Sequence, residues 1–265
     1  MNLIAIDIGN TKIAVGLFLD GEEKSIVSIP GREQDRLRAA LKDAWTRVPV
    51  ADGSKQGKRN GLIVVSSVKP EWTTLVQQIV RQDLGEPVRL IGKDVPLPLP
   101  VWVEQPDKVG TDRVVSAAAA YAVAENAVVV ADFGTAVTID LVDQHGAFQG
   151  GVILPGFDLS ATALHEHTAM LPQVTVTRPT GPFGKNTADA INCGLYYGAI
   201  GALEEVVRRY AETIGVWPQV VMTGSAGELI REDCPFVDSY VPNLVVKGIV
   251  LATLKALDEE TEPDV

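Results

Sequence analysis

Two stretches of the chain place a carboxylate inside an apolar strand and follow it at once with a small polar turn. The first reads IAIDIGNTKIAVG and contains Asp7; the second reads VVADFGTAVTI and contains Asp132. An ionised carboxylate among apolar residues is costly unless it is paired or binds a cation. The pattern therefore predicts that each aspartate lies at a strand end where it can hold a cation.

The residues that follow each aspartate can bind an anion. They are Gly9-Asn10-Thr11-Lys12 in the first turn and Gly134-Thr135-Ala136 in the second turn. Successive backbone N–H groups in such turns form concave anion sites, and hydroxyl or amide side chains add donors. An aspartate that can hold a cation therefore lies next to backbone groups that can bind an anion. This combination predicts phosphate binding at both turns.

The two stretches indicate an internal duplication. Residues 4–21 and 129–146 align without a gap, which places Asn10 on Thr135 and Gly21 on Gly146. Each copy reads as a strand, a tight turn, a second strand and a further strand, followed by a helical pattern. We therefore expect two similar subdomains, residues 1–115 and 116–265, with a nucleotide cleft between them.

Other segments supply the elements that position these turns. Residues 61–68 read as a strand after the polar loop 51–60, and residues 112–126 read as a helix joining the halves. A long helix is predicted over residues 186–214, and residues 257–265 are expected to fray. The stretch VVMTGSAGELI, residues 220–230, reads as strand, glycine loop and helix. It is either a nucleotide-contacting turn or an ordinary connection.

A third chemical group lies between the repeats, where Asp112 and Arg113 follow Gly110 at the predicted helix start. Asp112 is either a helix N-terminal charge or a base that accepts a proton from an alcohol beside an anion-binding Arg113. The stretch alone does not separate these interpretations.

Composition excludes several classes of protein. The 265 residues are 46% hydrophobic and carry 23 Lys plus Arg against 34 Asp plus Glu, a net charge of −11. Such a chain repels nucleic acid. Two cysteines, no basic and apolar leader, and no apolar stretch of membrane-spanning length predict a cytoplasmic protein without a membrane partner.

The repeated aspartate turns resemble those of the actin/hexokinase/Hsp70-like ATPase superfamily. The predicted fold class is accordingly α/β, with two duplicated ribonuclease-H-like subdomains. Five motifs in order narrow the resemblance: DxGNT at 7–11, GxDR at 110–113, DxGTA at 132–136, GGxIxPG at 150–156 and NTxxA at 186–190. Together they resemble type III pantothenate kinase over essentially the whole chain.

The resemblance implies that the protein uses ATP to phosphorylate the primary hydroxyl of pantothenate, the first step of coenzyme A biosynthesis. It also implies a cytoplasmic homodimer that requires Mg²⁺ and either K⁺ or NH₄⁺. Asp112 matches the catalytic base, Asp132 the monovalent-cation ligand, and Asp7 a Mg²⁺ ligand, either direct or through water. The implied pantothenate-binding residues are Gly110, Thr111, Asp112, Arg113 and Thr187. The implied ATP-binding residues are Asp7, Ile8, Gly9, Asn10, Thr11, Lys12, Ile13, Ala14 and Thr135. With few Lys or Arg near the turns, bound cations are expected to neutralise the phosphates.

Two alternatives stay open at this point. Val103 stands where the family usually has a substrate-contacting Tyr, so the chain could be a kinase or hydrolase acting on another small substrate, or a silent binding relative.

His165 and His167 are two apart on a predicted helix and point to different faces, which argues against a metal pair. Cys193 is interpreted as a packing residue.

Overall fold

The computed structural model describes residues 1–54 and 57–261, so residues 55 and 56 of the predicted polar loop and the last four of the predicted frayed tail lie outside it. Two compact units make up the chain, and neither is contiguous in sequence. The first unit comprises Met1–Pro100, Gln105–Ala119 and the chain from Val245 onward. The second unit comprises Val101–Glu104 and Ala120–Leu244.

The first unit is built on a five-stranded sheet of order β3-β2-β1-β4-β5. Its strands are β1 Leu3–Ile8, β2 Lys12–Leu19, β3 Glu22–Pro30, β4 Leu62–Ser67 and β5 Arg89–Leu90. Its helices are α1 Gln34–Arg47, α2 Pro70–Ile79 and most of α3 Thr111–Ala124, with a π-helical turn Val80–Leu84 and a 3₁₀ turn Pro106–Lys108. The C-terminal helix, α7 Leu244–Thr261, belongs to this unit from Val245.

The second unit is built on a sheet of order β10-β9-β6-β7-β8. Its strands are β6 Val128–Phe133, β7 Ala136–Val142, β8 Phe148–Pro155, β9 Gln219–Thr223 and β10 Ser239–Tyr240. Its helices are α4 Phe157–Glu166, α5 Thr187–Ile214 and α6 Gly227–Ile230, with a 3₁₀ turn Arg231–Asp233.

The two sheets have the same topology, which confirms the predicted fold class. In each, the first strand pairs antiparallel with the second and parallel with the fourth, and the second pairs antiparallel with the third. A bulge recurs at Leu17/Phe18 and at Leu141/Val142. The duplication inferred from the aspartate turns therefore extends to whole sheets.

The gapless alignment of the repeats is wrong at the turn. The N–H of Gly9 donates to Lys12 O, whereas the N–H of Gly134 donates to Ala136 O, both at 3.1 Å. The second turn is thus one residue shorter, and Thr135 corresponds to Thr11 rather than Asn10. A longer connection between β7 and β8 restores the overall spacing, which is why the sequences appear to align without a gap.

Each turn also accepts a hydrogen bond from a glycine that follows the proline at the end of the third strand. The N–H of Gly31, after Pro30, donates to Thr11 O at 3.0 Å, and the N–H of Gly156 donates to Thr135 O at the same distance. Each turn is therefore fixed at both edges by backbone hydrogen bonds, one within the turn and one to the end of the third strand.

Strand alternation sets which face of the first sheet carries Asp7. Ile4, Ile6 and Ile8 pack with α1 and α2, while Leu3 and Ala5 pack with Val115 of α3 and with α7. Successive side chains of a strand point to opposite faces. Asp7 therefore lies on the face that α3 covers, the helix whose first turn contains Asp112.

The predicted helices form with small differences at their ends. The helix predicted from residue 112 begins at Thr111, and the long helix begins at Thr187 with Asn186 as its N-cap. The helical pattern expected after the second repeat forms α4, Phe157–Glu166, and α7 remains helical through Thr261 where fraying was expected. Within residues 1–54 and 57–261, no helix combines the length and apolarity needed to cross a membrane.

The division at residue 115/116 stays a prediction about subdomains. The compact units differ from it in two ways: α3 passes from one unit to the other at Ala119, and α7 groups with the N-terminal residues. Close packing of α7 against α3 explains why α7 groups with the N-terminal residues, since a Cβ on Gly248 of α7 would lie 2.0 Å from the carbonyl oxygen of Val115.

Candidate active site

The first turn presents short polar side chains to solvent at the end of β1. Asn10, Thr11 and Lys12 are exposed, whereas Asp7 is half-buried with its Oδ1 atom shielded from solvent. In the sheet, Asp7 lies opposite Ala14 of β2 and Ser66 of β4. The turn thus offers backbone and side-chain donors beside a carboxylate, which is the arrangement expected of a cation-assisted phosphate site.

Three of the residues predicted to bind ATP are buried in the first unit. Ile8 and Ile13 have no exposed surface and belong to the core against α1 and α2. Ala14 is packed in the core on the other face. These side chains hold the hairpin in place, and the exposed residues of the turn are Asn10, Thr11 and Lys12.

Ser66 connects the strand beside Asp7 to the loop that carries Asp112. It is fully buried, and its hydroxyl lies 2.8 Å from the hydroxyl of Thr111, the first residue of α3. Sequence analysis did not select Ser66, although a serine within GLIVVSSV is a polar residue in an apolar strand. This hydrogen bond brings the start of α3 to the same end of the sheet as Asp7.

Asp112 occupies the first turn of α3 and is half-buried. Burial raises the pKa of its carboxyl group, against the opposing effects of the hydrogen bond that the Arg113 N–H donates to Oδ1 at 2.8 Å and of the Arg113 charge. A Cβ on Gly110 would lie 2.5 Å from the same oxygen. Glycine at 110 therefore leaves room for the carboxylate, and desolvation makes that carboxylate a stronger base than an exposed aspartate.

In the second unit, Asp132 occupies the position in β6 that Asp7 has in β1. It lies opposite Thr223 of β9, as Asp7 lies opposite Ser66. Both neighbours are buried hydroxyl residues. The two sheets therefore carry the same pair, a penultimate carboxylate and a hydroxyl on the adjacent parallel strand.

At Gly224 the backbone of the second unit passes close to the Asp132 carboxylate. Its φ is +86°, and a Cβ there would lie 2.4 Å from Asp132 Oδ1 and 2.5 Å from the carbonyl oxygen of Phe133. These two oxygens therefore pack against the Gly224 backbone, and the Phe133 carbonyl also accepts the Ala226 N–H at 3.1 Å. The hydroxyl of Tyr240 donates to the Gly224 carbonyl at 3.1 Å and fixes the turn. Sequence analysis found this glycine loop but did not connect it with Asp132.

Oxygen donors of this kind suit hard cations. Mg²⁺ is commonly held by one or two carboxylates, several waters and substrate phosphates rather than by a cage of protein ligands. Asp7 beside the polar first turn would suit Mg²⁺ in this way, and Asp132 with the Phe133 carbonyl would offer a cation one carboxylate and one backbone oxygen. No cluster of three or more Asp, Glu, His or Cys side chains suited to a metal occurs in the described part of the chain.

Thr187 opens α5 in an exposed position. The Asn186 side chain caps the helix by accepting from the Asp189 N–H at 2.9 Å, and a Cβ on Gly184 would lie 2.1 Å from the Ala190 nitrogen. Across residues 1–54 and 57–261, the Thr187 hydroxyl makes no hydrogen bond, which leaves it accessible to a ligand.

The segment before Thr187 is tied to the second unit by a polar network. Arg178 donates to Glu232 at 2.6 Å and also bonds Asp233, which accepts from the buried Tyr196 hydroxyl at 2.6 Å. The hydrogen bonds from Tyr196 and Arg178 hold the pKa of Asp233 below its usual range. This network restrains the chain that leads to the start of α5.

Two cavities among the described residues are lined by residues other than those predicted for the site. One of about 700 Å³ in the first unit is lined in part by Lys42, Arg59 and Asp83. Another of about 180 Å³ in the second unit lies between β8 and the small residues Gly194 and Gly198 of α5. We assign the candidate site from the repeated carboxylate turns because their chemistry recurs in both units.

Comparison with known proteins identifies the family. The family model for type III pantothenate kinase matches residues 3–209. The type III pantothenate kinase of Syntrophotalea carbinolica is 32% identical over 257 residues, covering 96% of this chain and 98% of the relative. That of Rhodospirillum rubrum is 33% identical over 254 residues, covering 94% and 96%.

A solved structure supports the fold. A conserved Baf family protein from Campylobacter jejuni superposes with a TM-score of 0.61 at 18% identity, covering 97% of this chain and 100% of that one. At this identity the likeness concerns the fold alone.

Gly224→Ala should destabilise the protein more than Gly215→Ala. Both glycines have positive φ, +86° and +77°, but only Gly224 faces Asp132, whereas a Cβ on Gly215 meets nothing within 4 Å. Backbone strain of about 1–2 kcal/mol applies to both, and overpacking adds about 1–3 kcal/mol at Gly224. Urea unfolding measures the difference. Equal losses would show that the Asp132 carboxylate does not constrain this position.

Proposed function

The chain belongs to the type III pantothenate kinase family, and on that premise we propose that it transfers the γ-phosphoryl group of ATP to the primary hydroxyl of pantothenate. The product is 4′-phosphopantothenate, so the enzyme performs the first step of coenzyme A biosynthesis. The observation that carries the proposal is the family match over residues 3–209. The repeated carboxylate turns and the desolvated Asp112 support it.

Asp112 is the proposed general base. Its carboxylate accepts the proton of the pantothenate hydroxyl as that oxygen bonds to the γ-phosphorus, and the bond from the γ-phosphorus to its bridging oxygen breaks to leave ADP. Burial supports this role because it brings the pKa of Asp112 closer to the working pH, where a general base is most effective. Gly110, Thr111, Arg113 and Thr187 are proposed to bind pantothenate, with Arg113 supplying a positive charge beside the base.

The proposed ATP contacts come from the polar turns. Asn10, Thr11 and Lys12 are proposed to donate to phosphate oxygens from the first turn, and Thr135 from the second. Gly9 shapes the first turn, because its N–H is used in the hydrogen bond to Lys12 O. Ile8, Ile13 and Ala14 shape the first turn from within the core. Asp7 would hold Mg²⁺, directly or through water, and Asp132 would hold K⁺ or NH₄⁺. When bound, these cations neutralise charge that develops on the phosphoryl oxygens.

A homodimer in the cytoplasm completes the proposal. A Cβ on Gly194 or Gly198 of α5 would meet nothing within 4 Å, and Tyr197 beside them is 42% exposed, so this helix face can receive a second helix. A mass of about twice 28.3 kDa by light scattering tests the dimer. Cys193 and Cys234 are free thiols, which supports a reducing compartment.

The first experiment measures ADP release by the purified protein with ATP, Mg²⁺ and K⁺, in the presence and absence of pantothenate. We expect release that depends on pantothenate, with one phosphopantothenate formed per ADP. Release without pantothenate would identify a different acceptor or a hydrolase. Absence of turnover together with measurable ATP binding would indicate a silent relative.

Asp112→Asn should lower kcat by roughly 10²-fold or more without abolishing ATP binding, because the amide cannot accept the proton. In the wild type, kcat/KM should fall as the pH is lowered through the raised pKa of Asp112, at a pH above the ordinary aspartate value of about 3.9. The carboxylate is the active form, so activity is retained above that pKa. Asp107→Asn, an exposed neighbour, serves as the control. Unchanged kcat in Asp112→Asn would remove it from this role.

Exchange of K⁺ for Na⁺ should depress activity by about tenfold or more. The reason is that Asp132 and the Phe133 carbonyl provide oxygens at fixed positions, so a smaller cation would bind them with poorer geometry. The measurement is kcat in KCl, NH₄Cl and NaCl at constant ionic strength. Asp132→Asn should reduce the discrimination between the cations; a wild type indifferent to the cation would contradict the assignment.

A further inference from the structure

Lys69 lies against the first turn although it is distant in sequence. Its ammonium nitrogen is 3.2 Å from the carbonyl oxygen of Asn10. It also lies 3.6 Å from the centroid of the Trp72 ring. A lysine outside every motif therefore brings a positive charge to the turn assigned to the ATP phosphates.

The backbone of Lys69 is held firmly as the N-cap residue of α2. Its N–H donates to the Ser67 hydroxyl at 3.1 Å, and its carbonyl accepts from the N–H groups of Trp72 and Thr73, each at 3.1 Å. The Lys69 side chain is half-buried rather than free in solvent. Its position is thus set by the end of β4 and the start of α2.

Trp72 forms a platform beneath the ammonium group. The ring covers Gly31 so closely that a Cβ there would lie 1.7 Å from the ring atom Cη2. Gly31 in turn donates its N–H to Thr11 O in the turn. The ring is therefore fixed against the same corner that fixes the turn, and residues 69 and 72, three apart on a helix, face the same side.

The charge of Lys69 is not neutralised by the protein. Across residues 1–54 and 57–261, no carboxylate forms an ion pair with its ammonium group. An ammonium has three N–H donors. The Asn10 carbonyl takes one of them, and the Trp72 ring face attracts the charge without supplying a carboxylate.

We propose that Lys69 is a phosphate-binding residue for ATP, held over the first turn by Trp72 and the Asn10 carbonyl. The inference rests on the proposed function, in which the first turn binds the triphosphate. It changes one expectation from the sequence: bound cations are not the only positive charges at that turn, because the protein supplies Lys69 in addition to Lys12.

The test is the affinity of Lys69→Gln for ATP in the presence of Mg²⁺, measured by isothermal titration. Loss of a charge-assisted contact should raise the Kd about tenfold. Lys69→Arg keeps the charge and should recover most of the affinity. Lys93→Gln removes the same charge from an exposed position in the first unit and should leave the Kd unchanged.

Kinetic constants distinguish a Lys69 that binds phosphate from a Lys69 that only stabilises the first turn. If Lys69 binds ATP, Lys69→Gln raises KM for ATP, while KM for pantothenate and the Tm stay close to those of the wild type. A lower Tm with an unchanged ATP Kd would overturn the inference. Lys69 would then serve only to stabilise the turn through the Asn10 carbonyl. An equal loss of affinity in Lys93→Gln would also overturn it, since the effect would be one of net charge.

Failure of the proposed function gives a different result from failure of this inference. A wild type that binds ATP but does not phosphorylate pantothenate would contradict the proposed function, yet its titration would still test Lys69. A wild type that phosphorylates pantothenate, with Lys69→Gln binding ATP as tightly, would contradict only the inference.

Discussion

A carboxylate one residue from the end of a buried strand is the constraint on which both halves of the protein depend. Burial of a charge is costly unless polar groups and cations compensate it. The structure repeats one arrangement around that carboxylate in both units. A hydroxyl residue, Ser66 or Thr223, stands opposite the aspartate on the adjacent parallel strand, and a short turn closed by a backbone hydrogen bond follows it.

The repeated turns explain why several glycines lie near the site. Gly31 and Gly156 directly follow the third strands and donate their N–H groups to the turns, while Gly224 and Gly110 lie against the carboxylates of Asp132 and Asp112. A side chain at any of these positions would displace a ring, a backbone carbonyl or a carboxylate. The glycines thus allow these close approaches of backbone, ring and carboxylate atoms.

The first unit shows how sheet alternation positions a base. Asp7 and Ser66 share the face covered by α3, and the Ser66–Thr111 hydrogen bond connects that face to the helix turn bearing Asp112. The carboxylate of Asp112 is desolvated by this packing, which raises its pKa. Strand register, helix start and side-chain burial together turn an ordinary helix N-terminal aspartate into a candidate general base.

The sequence by itself determined the duplicated α/β fold, the strand-end positions of Asp7 and Asp132 and, to within one residue, the start of α3 beside Asp112, because apolar periodicity and turn residues act locally. It misaligned Thr135 with Asn10, since a shorter turn and a longer following connection cancel in a linear alignment. Only the tertiary structure revealed Ser66, the Gly224 approach to Asp132, the core positions of Ile8 and Ile13, and Lys69 over Trp72. Those features depend on contacts between residues distant in sequence, which local patterns do not specify.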